Sequence, residues 1–271
     1  MKILSDKKEL IKLINFEKDL GFIPTMGGIH KGHLSLINKS INECEKTIVS
    51  IYINKPQFNK KADFTSYPRN IKKDLLILKK YKIDYLFIPK TKQIYPNGPN
   101  KGIKISSFGK KLCGKFRPNH FEAIADVIDR FLKIFKPKRI YMGEKDMQQL
   151  KIIEDFVKKN HKNTKIIGCK TIRNKNKLAL SSRNFLFTKK ELNQVEKISN
   201  KFLKLKIKIK KIKEINKFLQ KSKKEIENFF DIKIEYLENR SIKNLSKSNK
   251  LKDSRIFLAY HFKDIRLIDN F

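Results

Sequence analysis

The stretch GFIPTMGGIHKGHLSLINKSINECEK, residues 21–46, decides the fold. Its first five residues, GFIPT, are mostly apolar and read as a strand. Gly27 and Gly28 then turn the chain, and Leu34, Ile37 and Ile41 recur at helical spacing over residues 33–46. A strand, a glycine turn and a helix in that order open a parallel α/β unit. Two histidines, His30 and His33, stand at the helix start with Gly32 between them.

The alternation continues outward from there. TIVSIYIN (47–54) is a β-branched strand, NIKKDLLILKKY (70–81) a helix, and DYLFIP (84–89) a strand stopped by Pro89. A polar stretch with Gly and Pro, 90–119, precedes HFEAIADVIDRFLKIF (120–135), a helix ended ahead of Pro137. RIYMG (139–143), DMQQLKIIEDFVKKN (146–160) and TKIIGCKTI (164–172) add strand, helix and strand. Five strands with helices between them predict an α/β fold: a Rossmann-like parallel sheet with right-handed crossovers and helices on both faces. Beyond about residue 185 the character changes. Thr188 and Glu191 fit a capping box. LKLKIKIKKIK (203–213) alternates as a strand would but has helical flanks, and pattern alone leaves both open. KIEYLEN (233–239) reads as a strand and RIFLAYHFKDIRLIDN (255–270) as a hairpin about Lys263-Asp264. The expected organisation is a Rossmann-like domain over 1–175 and a smaller α+β C-terminal domain over 176–271.

The net charge is +37, from 64 Lys+Arg against 27 Asp+Glu, which invites a nucleic-acid reading. Lys, Ile, Asn and Phe are used heavily everywhere, however, and the lysines are spread along the chain. Compositional drift is therefore favoured and no nucleic acid is expected. Cys44, Cys113 and Cys169 form no CxxC pair, so neither a zinc ribbon nor a disulfide framework is indicated. With no apolar leader in MKILSDKKEL and no membrane span, a cytoplasmic protein is expected.

In an open parallel sheet, ligands bind beyond the carboxyl ends of the strands. The unusual polar clusters fall there: TMGGIHKGH (25–33), NKPQF (54–58), GEKDMQQL (143–150) and RNKNKLALSSRN (173–184). A helix start at His30 offers free N–H groups and partial positive charge, which suit phosphate, and Gly32 would let a ligand approach the backbone. The same spacing also fits an ordinary helix start or half of a metal site, although no third ligand stands nearby. Lys145 at a strand end suits phosphates as a point charge, with Asp146 beside it. Ser181, Ser182 and Arg183 suit a polyphosphate, and the amides of Asn54 and Gln57 suit hydroxyls and carboxylates.

Taken together, PTMGGIHKGH, VSIYINKPQF, YPRN, IYPNG, RPNHF, MGEKDMQQL, LALSSRN, IEYLENR and RLIDN run in order from residue 24 to 270. This ordered set resembles the pantothenate synthetase (pantoate–β-alanine ligase) family of HxGH nucleotidyltransferases. The resemblance implies that pantoate attacks the α-phosphate of Mg2+-ATP to give pantoyl adenylate and pyrophosphate, and that β-alanine then displaces AMP. It implies that His30, His33 and Lys145 are catalytic. It places Asn54, Gln57 and Gln149 on pantoate, and Met26, Gly143, Asp146, Ser181, Ser182 and Arg183 around ATP. Arg117 and His120 match a further motif at the cleft, and Asp74 is a candidate for the magnesium region. A cytoplasmic homodimer is implied as well. Four departures stand out against the usual pattern: Gly28 for Ala, Lys55-Pro56 for Pro-x, Ala123 for Gly and Lys177 for Gly. The rival readings are another nucleotidyltransferase of that superfamily and a basic RNA-binding protein.

Overall fold

A computed structural model describes residues 1–271. Six strands form one parallel sheet: β1 (Lys2–Leu4), β2 (Leu20–Thr25), β3 (Lys46–Ile51), β4 (Tyr85–Phe87), β5 (Arg139–Gly143) and β6 (Lys165–Cys169), in the order β1-β4-β3-β2-β5-β6. The pattern of five strands holds, and β1 is added at the edge against β4. At three residues, β1 is too short to show a period. Consecutive side chains of a strand point to opposite faces, so the sheet builds two cores. Phe22, Ile48, Phe87 and Ile140 face one core with helices Lys7–Ile14, His120–Phe135 and Met147–Asn160. Ile23, Val49, Leu86 and Tyr141 face the other with helices Lys31–Glu43 and Ile71–Leu78.

From β2 the chain steps through β3 and β4 on one side, then crosses to β5 on the other. The turns after β2 and after β5 therefore flank the point where the direction of winding reverses, the usual position of a ligand crevice in such sheets.

The C-terminal part adds an antiparallel sheet in the order β7-β8-β9, with β7 (Lys233–Ser241), β8 (Ser254–Phe262) and β9 (Ile265–Asn270). Its hairpin turns at Lys263-Asp264, as the sequence suggests. One face packs with helices Lys189–Lys208 and Ile215–Phe230 through Leu237, Ile256 and Leu258. Tyr236, Phe257 and Ala259 on the other face join the large core of the parallel sheet, so apolar packing runs across the expected boundary near residue 175.

The ambiguous segment 203–213 continues the helix to Lys208 and ends in a 3-10 turn over Ile209–Lys211. Val195, Ile198, Phe202, Leu205 and Ile209 recur at helical spacing and are all buried, whereas Ile207, which the strand reading needs, is 70% exposed. The capping box at Thr188 and Glu191 starts the helix as expected. All three cysteines are free and buried. No helix is long and apolar enough to cross a membrane.

Candidate active site

A single cleft lies over the carboxyl ends of β2 and β5 and under the C-terminal sheet. Met26, His30, His33, Asn54, Gln57, Arg117, His120, Gly143, Lys145, Asp146, Gln149, Ser181, Ser182 and Arg183 all line it. Residues from four separate strand-end clusters thus meet in one place. Asp74 alone among the sequence-derived candidates is not part of the lining.

The helix start is built by His30 itself. His30 is the N-cap of helix Lys31–Glu43, and its Nδ1 accepts a hydrogen bond from the Gly32 N–H at 3.1 Å. A Cβ on Gly32 would sit 2.7 Å from the His30 ring. Gly32 therefore makes room for the ring of His30, and it lines the cleft as well. With Nδ1 accepting, neutral His30 carries its proton on Nε2. Burial, then His33 and Lys145, push its pKa down to about 3. The His33 ring lies 4.1 Å away, centroid to centroid, and its Nδ1 is buried with no partner. Burial and then Lys145 push the His33 pKa down to about 4. Both rings are accordingly neutral hydrogen-bonding groups near pH 7.

Lys145 is presented on a short turn, Glu144–Asp146, directly after β5. Its ammonium lies 3.9 Å from Asp146 Oδ1. The C-terminal strands hold the backbone of this turn. Asn270 Nδ2 donates to the carbonyls of both Glu144 and Lys145 at 2.8 Å, while Arg255 bonds Asn270 Oδ1 at 2.9 Å and Glu144 Oε2 at 2.7 Å. RLIDN is thus the fastening of the lysine turn, which sequence reasoning quoted without assigning a role. Gly143 leaves open space where a side chain would be.

The glycine turn after β2 explains two other candidates. Gly27 and Gly28 have φ of +81° and +61°, a region that L side chains rarely adopt. The buried carboxylate of Asp74 accepts from the Gly28 N–H at 2.9 Å and the Ile29 N–H at 2.8 Å. The magnesium reading of Asp74 is therefore corrected: both of its oxygens anchor the turn. Ser182 closes the same turn by donating to the Gly28 carbonyl at 3.0 Å, so its hydroxyl is engaged there. Arg183 Nη2 donates to both carboxylate oxygens of Asp63, at 2.7 and 2.8 Å. No group of three or more His, Cys, Asp or Glu side chains is placed to hold a metal ion.

The acceptor side is organised differently. Asn54 is 1% exposed, and its amide is taken up internally: Oδ1 accepts from Tyr95 Oη at 2.8 Å, and Nδ2 donates to the Ala123 carbonyl at 3.0 Å and to Gln57 Oε1 at 3.1 Å. Asn54 lines the cleft and, through these bonds, orients Gln57. The Gln57 carbonyl accepts from His120 Nδ1 at 2.8 Å and Arg117 at 3.1 Å. A carbonyl only accepts, so His120 carries its proton on Nδ1, leaving Nε2 to accept from Arg117 at 3.0 Å. Burial and then the Arg117 charge hold His120 well below the usual histidine range. Arg117 and His120 therefore act on the backbone of Gln57. Gln149 lines the cleft, whereas its neighbour Gln148 is buried and bonds the Cys113 N–H and the carbonyls of Phe108 and Lys111.

Two of the departures also acquire a physical meaning. Lys177 has φ of +65°, the left-handed conformation that suits glycine. Ala123 contributes to the site through its backbone carbonyl, which any residue would supply.

Comparison with known proteins agrees with this fold. The family described as Pantoate-beta-alanine ligase matches residues 2–271. A pantothenate synthetase of Pseudothermotoga lettingae is 36% identical over 273 residues, covering 100% of this chain and 97% of that protein. One from Clostridium botulinum is 36% identical over 287 residues, covering 100% and 99%. Pantothenate synthetase from Thermus thermophilus superposes with a TM-score of 0.92 at 28% identity, covering 100% of this chain and 99% of that one. Pantoate-beta-alanine ligase from Francisella tularensis, solved in complex with beta-gamma ATP and beta-alanine, gives a TM-score of 0.84 at 36% identity, covering 100% and 97%.

Proposed function

The chain belongs to the pantoate–β-alanine ligase family, and from that premise we propose that it condenses pantoate with β-alanine at this cleft through a pantoyl adenylate. The observation that carries the reading is the meeting of two unlike halves in one cleft: the cation and neutral imidazoles of Lys145, His30 and His33, and the amides of Gln57 and Gln149.

In the first step the carboxylate oxygen of pantoate attacks the α-phosphorus of ATP, and the bond to pyrophosphate breaks. Negative charge accumulates on the phosphoryl oxygens. His30, protonated on Nε2, donates a hydrogen bond there, and Lys145 supplies the positive charge. His33 contacts the phosphates beside it. Met26, Gly143, Asp146, Ser181 and Arg183 surround the nucleotide, with Arg183 exchanging Asp63 for phosphate oxygens. Gln57 and Gln149 orient the acid. In the second step the amine of β-alanine attacks the acyl carbon, AMP leaves, and the amine loses a proton. No covalent enzyme intermediate is needed, so positioning and charge stabilisation carry the chemistry. Magnesium arrives on the triphosphate, whose oxygens supply its ligands.

The division into a nucleotide-binding part, 1–175, and a smaller part, 176–271, that shields the adenylate from water belongs to the same reading. So do a cytoplasmic location and a homodimer, the latter checked by sedimentation. The experiment for the reaction is pyrophosphate release from Mg-ATP with pantoate alone, followed by AMP release on adding β-alanine. Pantoate-dependent pyrophosphate before any β-alanine is the expected result. Pyrophosphate release that requires β-alanine, or that ignores pantoate, would sink the adenylate route.

A further inference from the structure

The polarity of one hydrogen-bond chain at the acceptor end is fixed by its geometry. The Ala123 carbonyl can only accept, so the Asn54 atom facing it at 3.0 Å is Nδ2. Asn54 Oδ1 then faces Tyr95, whose hydroxyl must donate to it at 2.8 Å. The second hydrogen of Asn54 Nδ2 points to Gln57, so the atom it meets at 3.1 Å is Oε1. Gln57 is left with its NH2 group on the cleft side, where Met26 Sδ, a weak acceptor at 3.2 Å, is its contact.

Tyr95 is itself held firmly. It is buried, and the Arg130 guanidinium lies 4.3 Å from its ring centre. Arg130 bonds the carbonyls of Ile94 at 2.7 Å and Gly98 at 3.0 Å, on either side of Tyr95, and is oriented by Asp126 at 2.7 Å. The IYPNG loop therefore delivers one hydroxyl to one buried amide.

We propose that Tyr95 is a positioning residue for acceptor recognition: through Asn54 it locks the Gln57 amide with its NH2 group toward the cleft, which selects an acid offering a carboxylate or hydroxyl oxygen there. A flipped Gln57 would present its carbonyl oxygen, which repels a carboxylate and can only accept from a hydroxyl. This inference rests on the reading of the cleft as the pantoate site.

The test is steady-state kinetics on the full chain with Tyr95→Phe, Gln57→Ala and the double variant, with Asn54→Asp as an independent break in the chain. Tyr95→Phe is expected to raise KM for pantoate roughly tenfold, the fold-change of one buried hydrogen bond left unmade, with KM for ATP within about twofold. In the Gln57→Ala background, Tyr95→Phe is expected to add nothing further, because the group it positions is gone. Asn54→Asp, which cannot donate to Gln57, is expected to show the same pantoate-specific loss. If Gln57→Ala raises KM for pantoate but Tyr95→Phe and Asn54→Asp do not, the relay is wrong and the pantoate site stands. If Tyr95→Phe raises both KM values and its effect persists without Gln57, its role is merely structural and the proposal fails. If Gln57→Ala leaves KM for pantoate unchanged, the acceptor assignment falls and the relay with it.

Discussion

The helix start at His30 and the turn at Asn54 both follow strands of the same sheet, yet they use their polar groups in opposite ways. At the helix start, polar capacity is left over. His33 Nδ1 is buried without a hydrogen-bond partner, and the Lys145 ammonium, 3.9 Å from Asp146 Oδ1, lies close enough to both histidines to lower their pKa values. At the Asn54 turn nearly every polar atom is consumed by another: Asn54 by Tyr95, Ala123 and Gln57, and the Gln57 carbonyl by His120 and Arg117. Unmet polar capacity in a buried place is costly unless a ligand meets it. In the reading proposed above, the first region is the one whose side chains touch the reacting phosphates. The second is a scaffold that leaves one amide for the acceptor.

The largest expected effect tests the open half. Lys145→Ala or His33→Ala should slow pantoate-dependent pyrophosphate release by about 10²–10³-fold, the scale of losing one preorganised charge-stabilising group. Circular dichroism and Tm should stay close to those of the parent. Near-parental turnover in both variants would erase the distinction between the two regions. A smaller effect should follow from loosening the lysine turn at a distance. Asn270→Leu removes the two donors that hold the Glu144 and Lys145 carbonyls, and it should slow the same half-reaction roughly tenfold. KM for pantoate should not move, and a rise there would mean that the two halves are not separately held.

The acid limb of stability sharpens the contrast further. Free histidine titrates near 6.5, and the folded values of His30 and His33 are lowered to about 3 and about 4. Between those limits the unfolded chain binds more protons, so stability is full above about 6.5 and falls as pH drops toward about 4. Thermal melts across this range should show a shallower acid loss in His30→Asn/His33→Asn than in the parent. Parallel curves would contradict the buried, neutral histidines. The smallest expected effect lies outside both regions. Lys177→Gly should stabilise the fold by about 0.5–1 kcal/mol by relieving a left-handed backbone, seen as a Tm rise of a few degrees. A lower Tm would show that the lysine side chain contributes something its backbone does not reveal.

Much of this protein was legible as sequence because its signals are local. Apolar runs and helical spacing delivered five of the six parallel strands and the helices between them, and the glycine turn before HKGH placed a phosphate-suited helix start at the sheet edge. The three-residue β1 is too short to show a period, whereas helix Ile215–Phe230 does carry Ile215, Leu219 and Ile226 at helical spacing, a signal the dense lysines obscured. The roles of individual side chains were another matter. Asp74 meets Gly28, Ser182 meets the Gly27–Gly28 turn, Asn270 meets Lys145 and Tyr95 meets Asn54 only when distant segments fold together. Sequence by itself determined which residue types stand at the strand ends, because backbone periodicity is written residue by residue. Only the tertiary structure decided which of them remain free for a ligand, because a hydrogen bond is satisfied by whatever lies within about 3 Å in space, however far away it lies along the chain.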